Sequence, residues 1–252
     1  MIKINPGSRS VGLGFKDKFL KIAVTRRSVS LLRLEMHAGC EAYRHKFWGH
    51  YVQRLRIFAG FIGYSEKLRA LNLESESYAM FYRKLINHID DCALLPKEPF
   101  LGTIDLGIFE KIQLPERKLF ANKLYDRFQE HKVAIGAVHG DLHVAQMFHS
   151  DFGLRLIDWG AYRRSFWVKY DLVHLHVSQF LVDMHDSSWA CLANEASRDM
   201  FRRSSWGLDL TDDEFNLYLV CRCYIELSKD LHFDSLTKNR KLKYYRILKS
   251  VI

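Results

Sequence analysis

Two aspartates on loop-like stretches constrain this chain more than any other feature of its sequence. Val138-His139-Gly140-Asp141-Leu142-His143 leads to Gln146, then to Leu156-Ile157-Asp158-Trp159, and Asp171-Leu172 follows. Between the first two carboxylates lies Asp151-Phe152-Gly153, turn material able to close a hairpin. Asp141 and Asp158 therefore flank a hairpin rather than sharing a helix face.

Such a set suits phosphoryl transfer from ATP. One carboxylate accepts or orients the proton of an attacking hydroxyl. A second holds a magnesium ion that bridges the phosphates, and an amide or carboxylate completes the metal shell. The protein's share is positioning and charge neutralisation more than covalent chemistry. His139, Asp141 and His143 also form H-x-D-x-H, a spacing that offers nitrogen and oxygen ligands to a hydrolytic metal. No further His/Asp pair stands at a convincing distance, and that use leaves Ile-Asp-Trp without a role.

Around this segment the texture changes along the chain. Ile2-Lys3-Ile4, Val11 to Phe15 and Phe19 to Val24 read as three short strands, with turn material at Asn5 to Ser10 and at Lys16-Asp17. Helix formers run from Ser30 to about Tyr51. From Ser65 onward helices dominate: Ser75 to His88, a helix opened by Pro115, and Phe215 to Leu227 behind a Thr211/Glu214 capping box. Val133 to Leu142 and Leu154 to Trp159 interrupt them as short strands or loops. The expected fold class is α+β, a small antiparallel sheet followed by a larger helical part.

The run from His139 to Leu172, HGDLHVAQMFHSDFGLRLIDWGAYRRSFWVKYDL, resembles the catalytic region of the aminoglycoside phosphotransferase and choline kinase-like family, which has the protein-kinase fold. The resemblance implies an N-lobe over residues 1–98 and a helical C-lobe over 99–252, with a hinge between Pro96 and Gly107. It implies Asp141 as the catalytic carboxylate, His139 as the support of its loop, Asp158 as a magnesium ligand, and Asp171 as a structural carboxylate. Where the family usually has asparagine as second metal ligand, this chain has Gln146, whose extra methylene moves the coordinating oxygen. The family's phosphate-holding lysine falls on Lys21 in the third strand, and its helix partner on Glu35, with Glu41 as the fallback. An edge-strand lysine that discourages aggregation has the same look. The turn Asn5 to Ser10, with Ser8 in it, is expected to cover the phosphates with backbone N–H groups, although it lacks a full G-x-G-x-x-G.

Charge narrows the acceptor. The chain has 252 residues with a formal charge of +9, which favours anionic partners. An acidic bed for a polycation is confined to one run, Asp209 to Glu214, so a neutral or anionic small molecule, sugar or membrane-surface glycan of lipopolysaccharide type is expected. Tyr162, Arg163 and Arg164 either meet an anionic substrate or form a solvated loop. No nucleic-acid module is recognisable despite the interleaved aromatics and bases. The five cysteines are scattered and expected to be reduced. No stretch approaches the length of a membrane span, and the first ten residues lack a secretory apolar core, so cytoplasmic residence is expected. The departure at Gln146 keeps a nucleotide-binding pseudokinase as the alternative. Ile-Asp-Trp in place of Asp-Phe-Gly, with no Ala-Pro-Glu downstream, argues against a protein kinase.

Overall fold

The computed structural model describes residues 2–5, 10–14, 18–53, 56–58, 62–66, 68–111, 117–185, 188–232 and 237–252. Ser8, with the phosphate-covering turn expected there, lies outside the described residues, as does Pro115.

Three strands open the chain, β1 (Ile2–Asn5), β2 (Ser10–Gly14) and β3 (Lys18–Ala23), before helix α1 (Arg26–Tyr43). A 3-10 turn at Trp48–His50 leads to β4 (Arg56–Phe58), β5 (Ile62–Glu66) and β6 (Arg69–Ala70). Next come α2 (Glu76–Ala93), β7 (Glu98–Pro99), α3 (Gly107–Glu110), α4 (Arg117–Phe128), β8 (Lys132–Val133) and β9 (Ile135–Val138). Strands β10 (Met147–Ser150), β11 (Gly153–Leu156) and β12 (Arg163–Trp167) precede α5 (Tyr170–Asp183), α6 (Glu195–Arg203), α7 (Asp212–His232) and α8 (Lys238–Val251).

Contacts divide the chain into two compact units: Met1–His88 with His139–Arg164, and Ile89–Val138 with Ser165–Ile252. The lobe boundary expected near residue 98 follows chain order, whereas these units follow packing. The segment that carries the paired aspartates packs with the N-terminal sheet and α1.

In the first unit the three expected strands are joined by β5 and β4 into an antiparallel sheet of order β1-β2-β3-β5-β4. Lys21 stands opposite Gly12 on one side and Gly63 on the other, so neither neighbouring strand offers a side chain beside its stem. Helix α1 starts four residues earlier than the run of helix formers suggests. Thr25 accepts from the Ser28 backbone N–H, and the Ser28 hydroxyl pairs with the Thr25 backbone in return, which satisfies two of the orphan donors of the first turn. The expected hairpin is β10–β11, with Met147 opposite Leu156 and Ser150 opposite Gly153. It is clamped to the stretch after α1, because Leu156 N–H donates to Tyr51 O at 2.7 Å and Gln53 N–H to Leu156 O at 3.2 Å.

In the second unit α5 and α7 are almost wholly buried, with Val173, Leu175, Phe215, Leu219 and Ile225 all fully enclosed. His174 and His176 both turn inward from α5: His174 Nδ1 lies 3.0 Å from the Tyr218 hydroxyl and His176 Nδ1 lies 2.7 Å from Trp206 O. The capping box at the start of α7 is formed, with Thr211 N–H donating to Glu214 Oε2 at 3.0 Å and Glu214 N–H to Thr211 Oγ1 at 3.2 Å. Lys169 Nζ donates to the other Glu214 oxygen at 2.6 Å. Partial burial raises the Glu214 carboxyl, but Lys169 and Thr211 outweigh it and hold the group below the usual glutamate range. A carboxyl depressed by folding contributes stability above its unfolded pKa of about 4.3 and loses it as pH falls through the lower folded value. Glu214→Ala is expected to cost about 1–2 kcal/mol in urea unfolding at pH 7. The difference from wild type shrinks below about pH 4.

All five cysteines are free thiols, with Cys92, Cys221 and Cys223 buried, Cys191 partly so and Cys40 exposed. Among the described residues no helix is long and apolar enough to cross a membrane.

Candidate active site

The first unit is organised around one dipeptide, Ile157-Asp158, which follows β11. Three of its backbone groups are held by three different parts of the chain. Gln146 O accepts the Ile157 N–H at 3.1 Å. His139 Nε2 lies 3.0 Å from Ile157 O, and since a carbonyl only accepts, the ring proton sits on Nε2. Glu35 Oε1 accepts the Asp158 N–H at 3.3 Å. Held this way, Asp158 adopts the left-handed conformation, φ 61° and ψ 53°. That conformation is unfavourable for a residue with a Cβ by about 1–2 kcal/mol and persists where its surroundings over-determine it. The Asp158 carboxylate is left exposed at the head of a 3-10 turn, Trp159–Ala161.

The second Glu35 oxygen reaches the sheet. Lys21 Nζ donates to Glu35 Oε2 at 2.6 Å, with the lysine 31% and the glutamate 13% exposed. Burial pulls the Lys21 ammonium down, but Glu35 and, more weakly, Asp158 more than restore it, so its pKa stands above the ordinary lysine value. Lys21 is a fixed cation at neutral pH. Glu41, the fallback partner, is engaged elsewhere: it pairs with Arg164 through Oε2 and with Arg44 through Oε1 at 3.3 Å.

Asp141 is half-buried on the loop after β9. The preceding Gly140 has φ +83°, and a Cβ there would stand 2.2 Å from the Ala161 carbonyl oxygen. The loop bearing Asp141 therefore touches, backbone to backbone, the turn that starts at Asp158. His139 reinforces that contact through a cluster of tilted and edge-on aromatic rings. Its ring lies 4.5 Å from Trp159, and Trp159 lies 5.8 Å from Trp48. All three are essentially buried. The Trp159 indole N–H donates to Leu156 O at 3.0 Å, which fixes the ring. Trp48 and the Ala161 carbonyl were not singled out in the sequence, and Trp159 entered only as the last residue of Ile-Asp-Trp, with no packing role assigned.

A magnesium ion fits the residues present. Gln146 is 4% exposed, and its side-chain oxygen finds no hydrogen-bond partner among the described residues. A buried acceptor left without a donor is costly unless something else satisfies it. Met147 pairs with Leu156 across the hairpin, which places Gln146 and Asp158 at the same end of the ladder. Among the described residues no three His, Cys, Asp or Glu side chains gather to hold a metal by themselves. Magnesium keeps several waters and is commonly bound through one or two protein groups plus substrate phosphates, and Gln146 and Asp158 could supply two such groups. Gln146→Leu replaces the orphaned acceptor by an apolar group of similar size. It is expected to leave the metal-free protein as stable or slightly more so in thermal unfolding, while weakening magnesium-dependent nucleotide binding about tenfold or more.

The remaining candidates divide. Tyr162 is buried rather than solvated, with burial raising its phenol. Arg163 donates to Ala161 O at 3.1 Å and Tyr162 O at 2.9 Å, which ties down the turn after Asp158. Arg164 is the partner of Glu41. Asp171 is fully buried in the first turn of α5, in the second unit.

With this geometry the chain is similar in fold to solved small-molecule kinases. The choline kinase LicA from Streptococcus pneumoniae matches with TM-score 0.56 and 15% identity, over 100% of this chain and 93% of that one. An ethanolamine kinase from Plasmodium vivax matches with TM-score 0.51 and 11% identity, over 100% and 82%. A choline/ethanolamine kinase family protein from Mesorhizobium loti matches with TM-score 0.50 and 12% identity, over 100% and 92%. No protein-family model matches the sequence, and no curated protein does. At these identities the likeness establishes the fold. It is the α+β, protein-kinase-like fold expected from the run His139 to Leu172.

Proposed function

We propose that this chain, which has the fold of choline and ethanolamine kinases, is an ATP-dependent phosphotransferase that moves the γ-phosphoryl group to a hydroxyl of a small molecule or sugar. The observation that carries this proposal is the triple hold on Ile157-Asp158. His139 from the loop of Asp141, Gln146 from the hairpin and Glu35 from the helix all meet there, and Glu35 in turn holds Lys21. A merely structural loop does not need a lysine, a buried orphan amide and an exposed aspartate fixed about one dipeptide.

The roles follow from the chemistry. Lys21 supplies positive charge to the α- and β-phosphates, and Glu35 fixes where that charge stands. Asp158 and Gln146 present two oxygens to a magnesium ion, which when bound neutralises phosphate charge. Asp141 accepts or orients the proton of the acceptor hydroxyl, aligning its oxygen with the γ-phosphorus. His139 keeps the Asp141 loop and the Asp158 turn in fixed relation.

Pairing within the protein supports a neutral or anionic acceptor. In the acidic run Asp209 to Glu214, Asp212 is met by Arg202 at 2.6 Å, Asp213 by Arg127 at 3.2 Å and Glu214 by Lys169 at 2.6 Å. These carboxylates are spoken for and offer little to a polycation. A sugar, a phosphorylated sugar or a membrane-surface glycan fits the basic whole better than choline or ethanolamine, the cationic alcohols of the fold neighbours. The second possibility is a nucleotide-binding pseudokinase, favoured by glutamine where the family usually has asparagine.

The test is ADP release from ATP and magnesium across a panel of choline, ethanolamine, neutral sugars, phosphosugars and casein. Release stimulated by a small hydroxyl compound, strongest for the uncharged and anionic ones, is expected. Nucleotide binding with no transfer to any compound would favour the pseudokinase, and labelling of casein would point to a protein kinase.

A further inference from the structure

Helix α8, in the second unit, has two unlike faces. Tyr244, Ile247, Leu248 and Val251 are buried on the inner one. Two of its cations are engaged within the unit: Arg240 pairs with the buried Asp230, and Lys243 Nζ stands 4.8 Å from the centre of the Trp189 ring. Lys238, Lys241, Leu242, Arg246 and Lys249 lie at a spacing that returns to the opposite face of the helix.

The cations on that outer face have no acid to meet. Lys238, Lys241, Arg246 and Lys249 make no ion pair and no side-chain hydrogen bond among the described residues. The helix contains no aspartate or glutamate, so no partner stands one turn away along it. Elsewhere in the same unit cations are paired, Arg127 with Asp213, Lys169 with Glu214 and Arg202 with Asp212. On α8 the arrangement works against the helix itself. Lys238 and Lys241, and again Arg246 and Lys249, are like charges one turn apart, which weakens a helix. The first two also stand at the positive end of the helix dipole, with no acid in the first turn. A solvated surface intersperses both signs; this one collects a single sign, and in its midst Leu242 is 40% exposed.

We propose that the outer face of α8 seats the protein on an anionic phospholipid surface. Lys238, Lys241, Arg246 and Lys249 meet headgroup phosphates, and Leu242 between them enters the boundary of the acyl chains. The helix lies along the membrane and its inner face stays in the core of the unit. Nucleic-acid phosphates would satisfy the same cations, but they offer nothing to an apolar side chain in the middle of the face. Leu242 is the residue that favours lipid. The surface stands apart from the phosphotransferase reading and holds whether or not the chain transfers phosphate.

The experiment is co-sedimentation of the whole protein with phosphatidylcholine vesicles, with and without phosphatidylglycerol, over a range of salt. Binding that requires phosphatidylglycerol and weakens as salt rises is expected. The combined variant Lys238→Gln, Lys241→Gln, Arg246→Gln and Lys249→Gln is expected to bind such vesicles about a hundredfold more weakly. Its Tm should be unchanged or slightly raised, because repulsion along the helix is relieved. A charge-matched control, Lys97→Gln, Lys111→Gln, Lys123→Gln and Lys132→Gln, removes exposed lysines elsewhere in the unit and is expected to keep most of the binding. Leu242→Gln alone is expected to weaken vesicle binding severalfold. No phosphatidylglycerol-dependent sedimentation, or equal losses in the α8 variant and the control, would overturn the site. Displacement from vesicles by a short duplex RNA, together with wild-type vesicle binding by Leu242→Gln, would assign the face to nucleic acid and overturn the lipid surface.

Discussion

Asp141→Asn is expected to lower kcat by about three orders of magnitude while leaving magnesium-dependent ATP binding close to wild type. A positioned general base contributes roughly 10²- to 10⁴-fold, and asparagine keeps the shape of the side chain while losing its proton affinity. The loop itself is held by His139 on Ile157 O and by the approach of Gly140 to Ala161 O, neither of which uses the Asp141 side chain. Structure should therefore survive, with a thermal midpoint near that of wild type. The split between lost turnover and retained binding is what separates a base from a metal ligand. Steady-state kinetics on the best acceptor, with calorimetry beside them, read both quantities. Wild-type turnover in Asp141→Asn would remove Asp141 from the chemistry.

Gly140→Ala is expected to damage the molecule more broadly. The new methyl meets two obstacles. The backbone is in the left-handed region at φ +83°, which costs a residue with a Cβ about 1–2 kcal/mol. The carbonyl oxygen of Ala161 would also lie 2.2 Å away, so one backbone segment has to move. Such overpacking typically costs a further 1–3 kcal/mol. A total near 3 kcal/mol corresponds to a fall in Tm on the order of 6–12 °C for a chain of this size. The two segments that collide adjoin Asp141 and Asp158 respectively, so whichever moves disturbs one of the two carboxylates, and activity should fall further than stability alone explains. Gly153 provides the control. It too is left-handed, at φ +97°, but nothing lies within 4 Å of the position a Cβ would take. Gly153→Ala is expected to show the conformational cost alone, about 1 kcal/mol, with near-normal turnover. Equal losses in the two variants would mean that the approach to Ala161 does not matter.

These two glycines also show what the sequence makes legible. Asp151-Phe152-Gly153 reads as a turn, and the hairpin forms there, because turn chemistry is local. His139, Asp141, Gln146 and Asp158 stand out because they are polar residues at short, fixed spacing in stretches that lack helical periodicity. The lysine in an apolar strand and the glutamate on the next helix also come together, at 2.6 Å. The hold on Ile157-Asp158 is different in kind. It is made of backbone N–H and C=O groups, which every residue has, and only the folded chain says which of them meet. Strands β4 and β5 were missed for a related reason. Three residues, Arg56–Phe58, are too few to show alternation, and β5 has a glycine, Gly63, as its second residue; the pairing of β5 with β3 and of β4 with β5 makes both into strands. The limits of α1 were misjudged at both ends. Its capping box uses serine where glutamate or glutamine is the familiar signal. Its end has neither glycine nor proline to mark it; Arg44 closes the helix and Trp48 turns into the core.

The proposed phosphotransferase requires a nucleotide site whose metal Asp158 would hold. Calorimetric titration of the purified protein with ATP, with and without magnesium, beside Asp158→Asn, tests that most directly. Magnesium-dependent binding in the wild type that disappears in the variant is the predicted result. ATP binding that ignores both magnesium and the substitution, or no binding by either protein, would contradict it and leave the paired aspartates as scaffold alone.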